Sequence, residues 1–136
     1  MSDGTGELEE LTADECWRLL ARQTVGRLAV SVNNKPDIFP VNHRVDDDTI
    51  VIRTAAGMKL AAATLATAVA YEVDDIDEMR HTGSSVVIRG QAIEIENLDE
   101  LMEADGLKVE PWAGGSKNRY LRIVPSHVSG RRISAH

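Results

Sequence analysis

Two consecutive segments alternate apolar with polar residues and a third segment with an apolar centre follows them, and this pattern constrains the fold more than any other feature of the sequence. The segments span about residues 27–32, 37–45 and 49–54. Alternation with a period of two is typical of half-buried strands. The segments are separated by Asn33–Asn34–Lys35–Pro36 and by Asp46–Asp47–Asp48, whose compositions are typical of turns. The sequence therefore predicts three antiparallel strands joined as a meander.

Further strands are predicted at about residues 68–73, 84–96 and 119–125, and the acidic residues at 74–78 are predicted to form a solvated loop. Pro40 lies inside the second strand of the meander. Because proline has no N–H to donate to a neighbouring strand, we expect an open edge or a bulge at this position.

The longest predicted strand indicates how the sheet closes. In an alternating strand, Val86 and Ile88 would lie on one face, whereas Ile93 and Ile95 would lie on the opposite face. The reversal falls at Gly90, and a change of phase at a glycine is typical of a bulge or a sharp bend. Barrels use such bends to turn corners. We therefore predict a reversed side-chain phase after Gly90.

Together these features predict a mainly β fold with short helices, in which six antiparallel strands close a small barrel. One helix follows a capping box made by Thr12 and Glu15, a second spans about 58–65, and a third runs from Asn97 to Gly106. A barrel of this size is filled by its own side chains. A large ligand would therefore bind on the outer wall, where a groove between two copies would shelter it.

The composition limits the classes of function. The 136 residues predict one domain, 1–136, with a flexible N-terminus at 1–10. The net charge of −7 excludes general binding to nucleic acids and to anionic membranes. The sequence shows no membrane span and no signal peptide, and Cys16 is the single cysteine. These features predict a cytoplasmic protein.

The stretch "RTAAGMKL" at 53–60 predicts a phosphate site. Arg53 offers a planar fork that fits two phosphate oxygens, Lys59 adds a compact charge, and Thr54 adds a hydroxyl. Gly57 would let the backbone approach the ligand closely. The alternative is that Arg53 and Lys59 are surface charges beside an exposed turn. The spacings of a Walker loop and of a Rossmann dinucleotide site are absent.

The remaining polar residues carry weaker signals. The four histidines show no metal-ligand spacing, and His43, on an apolar strand face, is predicted to be packed or hydrogen-bonded. Ser84 and Ser85 lack the motif of a nucleophile elbow. Trp112, in a loop rich in proline and glycine, would either cap the barrel or flank a ligand. No metal site, general acid or general base is predicted.

Several segments together resemble a known family, the flavin-binding proteins of the pyridoxamine 5'-phosphate oxidase-like superfamily. They are "VGRLAVSVNNKPDIFPVNHRVDDDTIVIRTAAGMKL", "VAYEVDDID", "TGSSVVIRGQAIEI" and "PWAGGSKNRYLRIVPSHVSGRRI". The resemblance covers about residues 12–133. It implies a split β-barrel that forms homodimers, with FMN in grooves at the dimer interface.

Residue by residue, the resemblance implies which positions contact the cofactor. The phosphate would be held by Arg53, Thr54 and Lys59. The isoalloxazine ring would lie against the strand edge at Pro40, Val41 and Asn42. The groove would be lined by Ser84, Ser85 and Trp112. Related sequences often carry Gly-Trp-Ser where this chain has Gly83–Ser84–Ser85. The C-terminal segment that grips pyridoxal phosphate in the true oxidases has no counterpart, so oxidation of vitamin B6 is not expected.

The resemblance implies an FMN-dependent oxidoreductase that passes hydride or electrons to a small oxidised substrate. Two alternatives stay open: a reductase that uses a deazaflavin of the F-420 type, and a protein that stores or carries a flavin without turnover. A third is an interaction domain whose site has decayed, against which the retained Arg53, Thr54 and Lys59 argue.

Overall fold

The computed structural model describes residues 7–54, 68–109 and 119–134. Seven strands and two helices occupy these ranges. Their bounds, in chain order, are β1 Glu7–Glu10, α1 Ala13–Arg22, β2 Val25–Val32, β3 Lys35–Asp46, β4 Thr49–Thr54, β5 Val69–Asp77, β6 Thr82–Glu94, α2 Leu98–Gly106 and β7 Arg119–Ser134.

Six of the strands close into a ring, as the sequence predicted. The neighbours around it are β2, β3, β4, β7, β6 and β5, and β5 pairs again with β2. Every pairing is antiparallel, and β2 to β4 form the predicted meander. β1 lies outside the ring, paired with the end of β7. The fold is therefore a mainly β split barrel with two short helices in its described part.

β7 connects the two ends of the barrel. One of its edges pairs with β6 along most of its length, from Leu121 to Ile133. The other edge pairs first with β4, at 119–123, and later with β1, at 131–134. Strand β7 is thus far longer than the predicted 119–125, because its second half continues along β6 and meets β1.

The barrel interior is aliphatic, as the scarcity of aromatic residues predicted. Its fully buried side chains include Leu28, Ile50, Ile52, Ile88 and Ile123. Helix α1 covers one end of this core with Cys16, Leu19 and Leu20. The exception is Tyr71, a buried aromatic side chain. Burying this many aliphatic side chains, at about 1.5–3 kcal/mol each, supplies the main drive for closing the ring.

The predicted N-terminal caps of both helices are present. The Thr12 hydroxyl accepts a hydrogen bond from the Glu15 N–H, and the Glu15 carboxylate accepts one from the Thr12 N–H. The Asn97 side chain accepts from the first turn of α2. Neither described helix is long and apolar enough to cross a membrane. The predicted helix at 58–65 lies outside the described residues.

The irregularity predicted at Gly90 is present, but the predicted change in which side chains of β6 face the barrel interior is wrong. Arg89 pairs with His127 and Gly90 with Pro125, so the extra residue lies on β7 at Ser126. Side chains on β6 therefore keep their phase, and Ile93 points outward with half of its surface exposed. Ile95 is buried because it follows the end of β6 and joins a different cluster.

Two further predictions about loops are corrected. The acidic stretch that was expected to be a solvated loop instead extends β5 to Asp77, paired with β6 down to Thr82. Residues 7–10, placed in the flexible N-terminus, form β1. Both segments gain partners from distant parts of the chain, which local composition does not reveal.

Candidate functional site

Arg53 lies on the outer face of the barrel wall. Its neighbour Ile52 points into the barrel, so Arg53 points outward, opposite Asn42 on β3. Arg53 donates a hydrogen bond from Nη1 to the carbonyl oxygen of Val109, at 3.2 Å. Its guanidinium also lies 5.6 Å from the centre of the Tyr120 ring, a cation–π arrangement. We call this group, Arg53 with Val109 and Tyr120, the Arg53 corner.

A second cluster on the outside of the barrel supports the Arg53 corner. Its buried members, drawn from β4, β7 and the α2 region, are Val51, Ile95, Ala104, Val109 and Tyr120. Tyr120 donates from its hydroxyl to Asp105 of α2, at 3.1 Å. Burial, followed by this carboxylate, raises the pKa of Tyr120, so its hydroxyl stays protonated. Helix α2 therefore fixes the aromatic ring against which the guanidinium rests.

One atom of the Arg53 corner lacks a partner. The Nε of Arg53 is shielded from solvent and has no hydrogen-bond acceptor within the part of the chain that the structure describes. A buried donor without an acceptor costs about 1–3 kcal/mol. The Arg53 guanidinium therefore has a donor, Nε–H, that could still bind an acceptor.

The predicted ring-binding edge lies beside the Arg53 corner. Pairing of β3 with β4 begins at Asn42, so within the described residues β3 has an open edge before it, at Pro40. Among the described residues, this agrees with the open edge, one of the two possibilities that the proline led us to expect. Pro40 is exposed, and Asn42 is buried on the outer face. The Val41 side chain belongs to the core, so only its backbone can face a ligand on this wall.

Three further residues predicted to contact the cofactor are only partly described: two phosphate ligands and one residue of the groove. Thr54 is the last residue of β4, directly after Arg53. Lys59 and Trp112 lie outside the described residues. Their predicted contacts with a cofactor therefore remain predictions.

Ser84 and Ser85 lie on β6, beside a cavity of about 760 Å³. The cavity opens at the far end of the β5–β6 hairpin, where the ends of β1 and β7 also meet. Its polar side includes Glu72, Asp74 and Arg131, and its apolar rim is formed by Leu8, Ile76 and Ile133. We call it the Glu72 cavity. Its volume lies within the range of small-molecule sites.

The structure separates the predicted site residues into two groups. Arg53 pairs with Tyr120 on β7, whereas Ser85 pairs with Arg131, eleven residues further along. At about 3.3 Å per residue, these positions are roughly 35 Å apart along the strand. The two groups therefore lie at opposite ends of β7. Pro40, Val41 and Asn42 belong with Arg53, and Ser84 and Ser85 form the other group.

Glu72 and Asp74 are candidate functional residues that the sequence analysis did not identify. They lie two residues apart on β5, on its outer face, and Arg27 of β2 donates from Nη1 to both, at 3.1 Å each. Burial, followed by the hydrogen bond and charge of Asp74, raises the pKa of Glu72 to about 7. The spacing of two carboxylates on one strand face was a visible signal, hidden by the prediction of a loop there.

The fold defines a class, the small six-stranded split β-barrels. Comparison with known proteins identifies the family. The family profile described as pyridoxamine 5'-phosphate oxidase matches residues 12–132. The chain therefore belongs to the pyridoxamine 5'-phosphate oxidase-like family.

Relatives resemble the chain along nearly its whole length. The Mycobacterium tuberculosis protein Rv0080 is 37% identical over 134 residues, which cover 95% of this chain and 88% of the relative. A Corynebacterium glutamicum protein of known structure, described as a pyridoxamine 5'-phosphate oxidase, is 37% identical in sequence. Its structure superposes with a TM-score of 0.83 and covers 93% of this chain and 98% of that one. The FAD-binding protein of Mycobacterium smegmatis is 36% identical, with a TM-score of 0.80 over 93% and 100%.

Proposed function

We propose that this protein binds a flavin nucleotide on its outer wall and holds the phosphate at the Arg53 corner. The observation that carries the proposal is the buried Arg53 Nε, which lacks an acceptor among the described residues. An anionic oxygen is the acceptor that arginine binds best, through charge-assisted hydrogen bonds. The residues present therefore fit a phosphate group, and Thr54 follows directly in the chain.

The similarity to the M. smegmatis FAD-binding protein, at 36% identity, supports a flavin as the ligand. FMN is the form that the family resemblance implies, and FAD is the form that this relative binds. A deazaflavin of the F-420 type carries phosphate as well and remains the alternative. The open edge of β3 beside Pro40 offers backbone groups to the polar edge of the ring.

We further propose a homodimer in which each cofactor groove uses both chains. The Arg53 corner and the Ser84–Ser85 end lie roughly 35 Å apart along β7, so one chain would supply each side of a groove. Exposed apolar side chains at the cavity rim support an interface there, because Leu8 and Ile76 are 62% and 65% exposed. The single cysteine, Cys16, cannot form a disulfide within the chain, which supports the proposal of a cytoplasmic location.

A bound flavin would supply the redox chemistry, accepting and donating hydride or single electrons. This chain's residues would bind the phosphate, orient the ring against β3 and shield it from water between subunits. On this basis we propose an oxidoreductase that acts on a small oxidised substrate. A flavin carrier without turnover is the alternative.

The direct test is to denature the purified protein and identify any released molecule by mass spectrometry. Protein that emerges without ligand is then titrated separately with FMN, FAD and the deazaflavin. Release or tight binding of one of these supports the proposal and names the cofactor. A protein that releases none and binds none of the three contradicts it.

A further inference from the structure

Arg53 and Tyr120 are cross-strand partners on the outer face of the barrel. Arg53 of β4 pairs with Tyr120 of β7. Their chain neighbours Ile52 and Leu121 belong to the core, so both side chains of the pair point outward. Side chains that stand opposite each other on one sheet face have Cβ atoms about 4.5–5.5 Å apart. The pairing of β4 with β7 therefore places the aromatic ring beside the guanidinium.

The contacts of Arg53 determine which edge of its guanidinium can meet a ligand. Nη1 donates to the Val109 carbonyl oxygen, and the Tyr120 ring lies against the guanidinium. Nη1 lies on the side of the guanidinium away from the Nε–H. The edge made by Nε and Nη2 therefore makes no hydrogen bond within the described residues. This edge carries two parallel N–H donors, an arrangement that fits two phosphate oxygens.

Tyr120 is itself held in one position. It is 5% exposed and packs in the outer cluster with Ile95, Ala104 and Val109. Its hydroxyl donates to the carboxylate of Asp105, at 3.1 Å, so α2 holds the far end of the ring. An arginine side chain loses rotational freedom when it is fixed on a ligand. A guanidinium that already rests on a fixed ring loses less of that freedom when an anion binds.

We propose that Tyr120, held by Asp105, is a positioning residue that directs the Nε edge of Arg53 toward the phosphate of the cofactor. This inference rests on the proposed function, because Tyr120 acts only through an Arg53 that binds phosphate. Preorganisation of this kind raises affinity without adding a contact to the ligand. Tyr120 and Asp105 should therefore affect the binding of flavins that carry a phosphate and not the binding of flavins that lack one.

Fluorescence titrations with FMN and with riboflavin test this role, because the two flavins differ only by the phosphate. If the protein takes only the deazaflavin, the coenzyme and its phosphate-free form replace them. Tyr120→Leu removes the ring and should weaken FMN binding about 5- to 30-fold, with riboflavin binding unchanged. Tyr120→Phe keeps the ring and should retain most of the affinity. In protein that already carries Arg53→Ala, Tyr120→Leu should cause no further loss, because the two residues act through one contact.

Two substitutions of Asp105 form a matched pair at an exposed site, which leaves the buried ring in place. Asp105→Ala and Asp105→Asn both remove the negative charge, but only Asp105→Asn keeps an acceptor for the Tyr120 hydroxyl. Loss of a negative charge near a phosphate by itself favours binding. Asp105→Ala should nevertheless bind FMN about 2- to 10-fold more weakly than Asp105→Asn, because the hydrogen bond is lost. The two variants should bind riboflavin equally.

The outcomes separate this inference from the proposed function. Loss of FMN binding, but not of riboflavin binding, in Tyr120→Leu and in Asp105→Ala supports it. Equal FMN affinity in Asp105→Ala and Asp105→Asn overturns the inference alone. So does a loss in Tyr120→Leu that is as large for riboflavin as for FMN, or one that adds to the loss from Arg53→Ala. Wild-type protein that binds none of these flavins, or binds FMN no more tightly than riboflavin, overturns the proposed phosphate site and this inference together.

Discussion

Tyr71 donates its hydroxyl hydrogen to Nδ1 of His43 inside the barrel, with 2.5 Å between the oxygen and the nitrogen. His43 in turn donates from Nε2 to the carbonyl oxygen of Leu20, at 2.8 Å, near the end of α1. The two rings meet edge to face. Gly26 makes room for this pair, because a side chain there would collide with the Tyr71 hydroxyl. These contacts connect β5, β3 and α1 through buried polar groups.

Removal of the Tyr71 hydroxyl should destabilise the fold. Tyr71→Phe leaves Nδ1 of buried His43 without a donor, which costs about 1–3 kcal/mol of the free energy of unfolding. The matched control is Tyr120→Phe, whose lost partner Asp105 is exposed and regains water. Urea unfolding measures both. Equal losses of unfolding free energy in the two variants would show that the buried hydrogen bond stabilises the fold no more than the exposed one.

The protonation of His43 should make stability depend on pH. Burial lowers the pKa of His43 in the folded protein below its ordinary value of 6.5. The unfolded chain therefore takes up the proton first, and stability is lost as pH falls below about 6.5. His43→Gln should reduce the slope of unfolding free energy between pH 7 and 5.5, whereas exposed His127→Asn should not. The slope is the readout, so a loss of absolute stability does not obscure it.

Gly90, opposite the bulge, should tolerate no side chain. A Cβ at Gly90 would collide with the Val124 carbonyl oxygen and come within 2.9 Å of its carbon. Gly90→Ala should therefore cost about 1–3 kcal/mol through strain. Gly106→Ala, at the end of α2, meets nothing within 4 Å and should be neutral or slightly stabilising. Thermal unfolding that ranks the two variants the other way would contradict this account of the bulge.

A charge on the apolar rim of the Glu72 cavity should disrupt the proposed dimer. Ile76 is 65% exposed at the end that we propose a second chain covers. Ile76→Asp should convert dimer to monomer in analytical ultracentrifugation and weaken flavin binding in parallel. Ile93→Asp, at an exposed site elsewhere on the wall, serves as the control. A wild-type protein that sediments as a monomer with flavin bound would rule out the shared groove.

Much of the fold could be predicted from local patterns in the sequence. The β2–β4 meander, the cap of α1 and the bounds of β4 follow from alternation and from capping residues, which act over a few positions. The misplaced reversal after Gly90 shows the limit. A bulge is a property of two strands, and the sequence of β6 cannot tell whether the extra residue lies on β6 or at Ser126 of β7.

The candidate site was predictable only in part, for the same reason. Arg53 could be identified because the residues that suggest a phosphate site lie next to it in the sequence. The contacts of Arg53 with Tyr120 and Val109 depend on α2 packing against the outside of the barrel. No local pattern in the sequence indicates this packing. The sharing of Arg27 by Glu72 and Asp74 depends on the pairing of β2 with β5, whose segments are some 45 residues apart.

The most direct test of the central claim is flavin binding by wild-type protein and by Arg53→Ala, with Arg89→Ala as the control. Arg89 is an exposed cation on β6. Fluorescence titration with the flavin that the protein releases should show a 10- to 100-fold weaker affinity for Arg53→Ala, since a hydrogen bond to a charged group contributes about 1.5–3 kcal/mol. Arg89→Ala should bind like the wild type. Equal affinity in all three proteins would place the phosphate away from Arg53 and contradict the account.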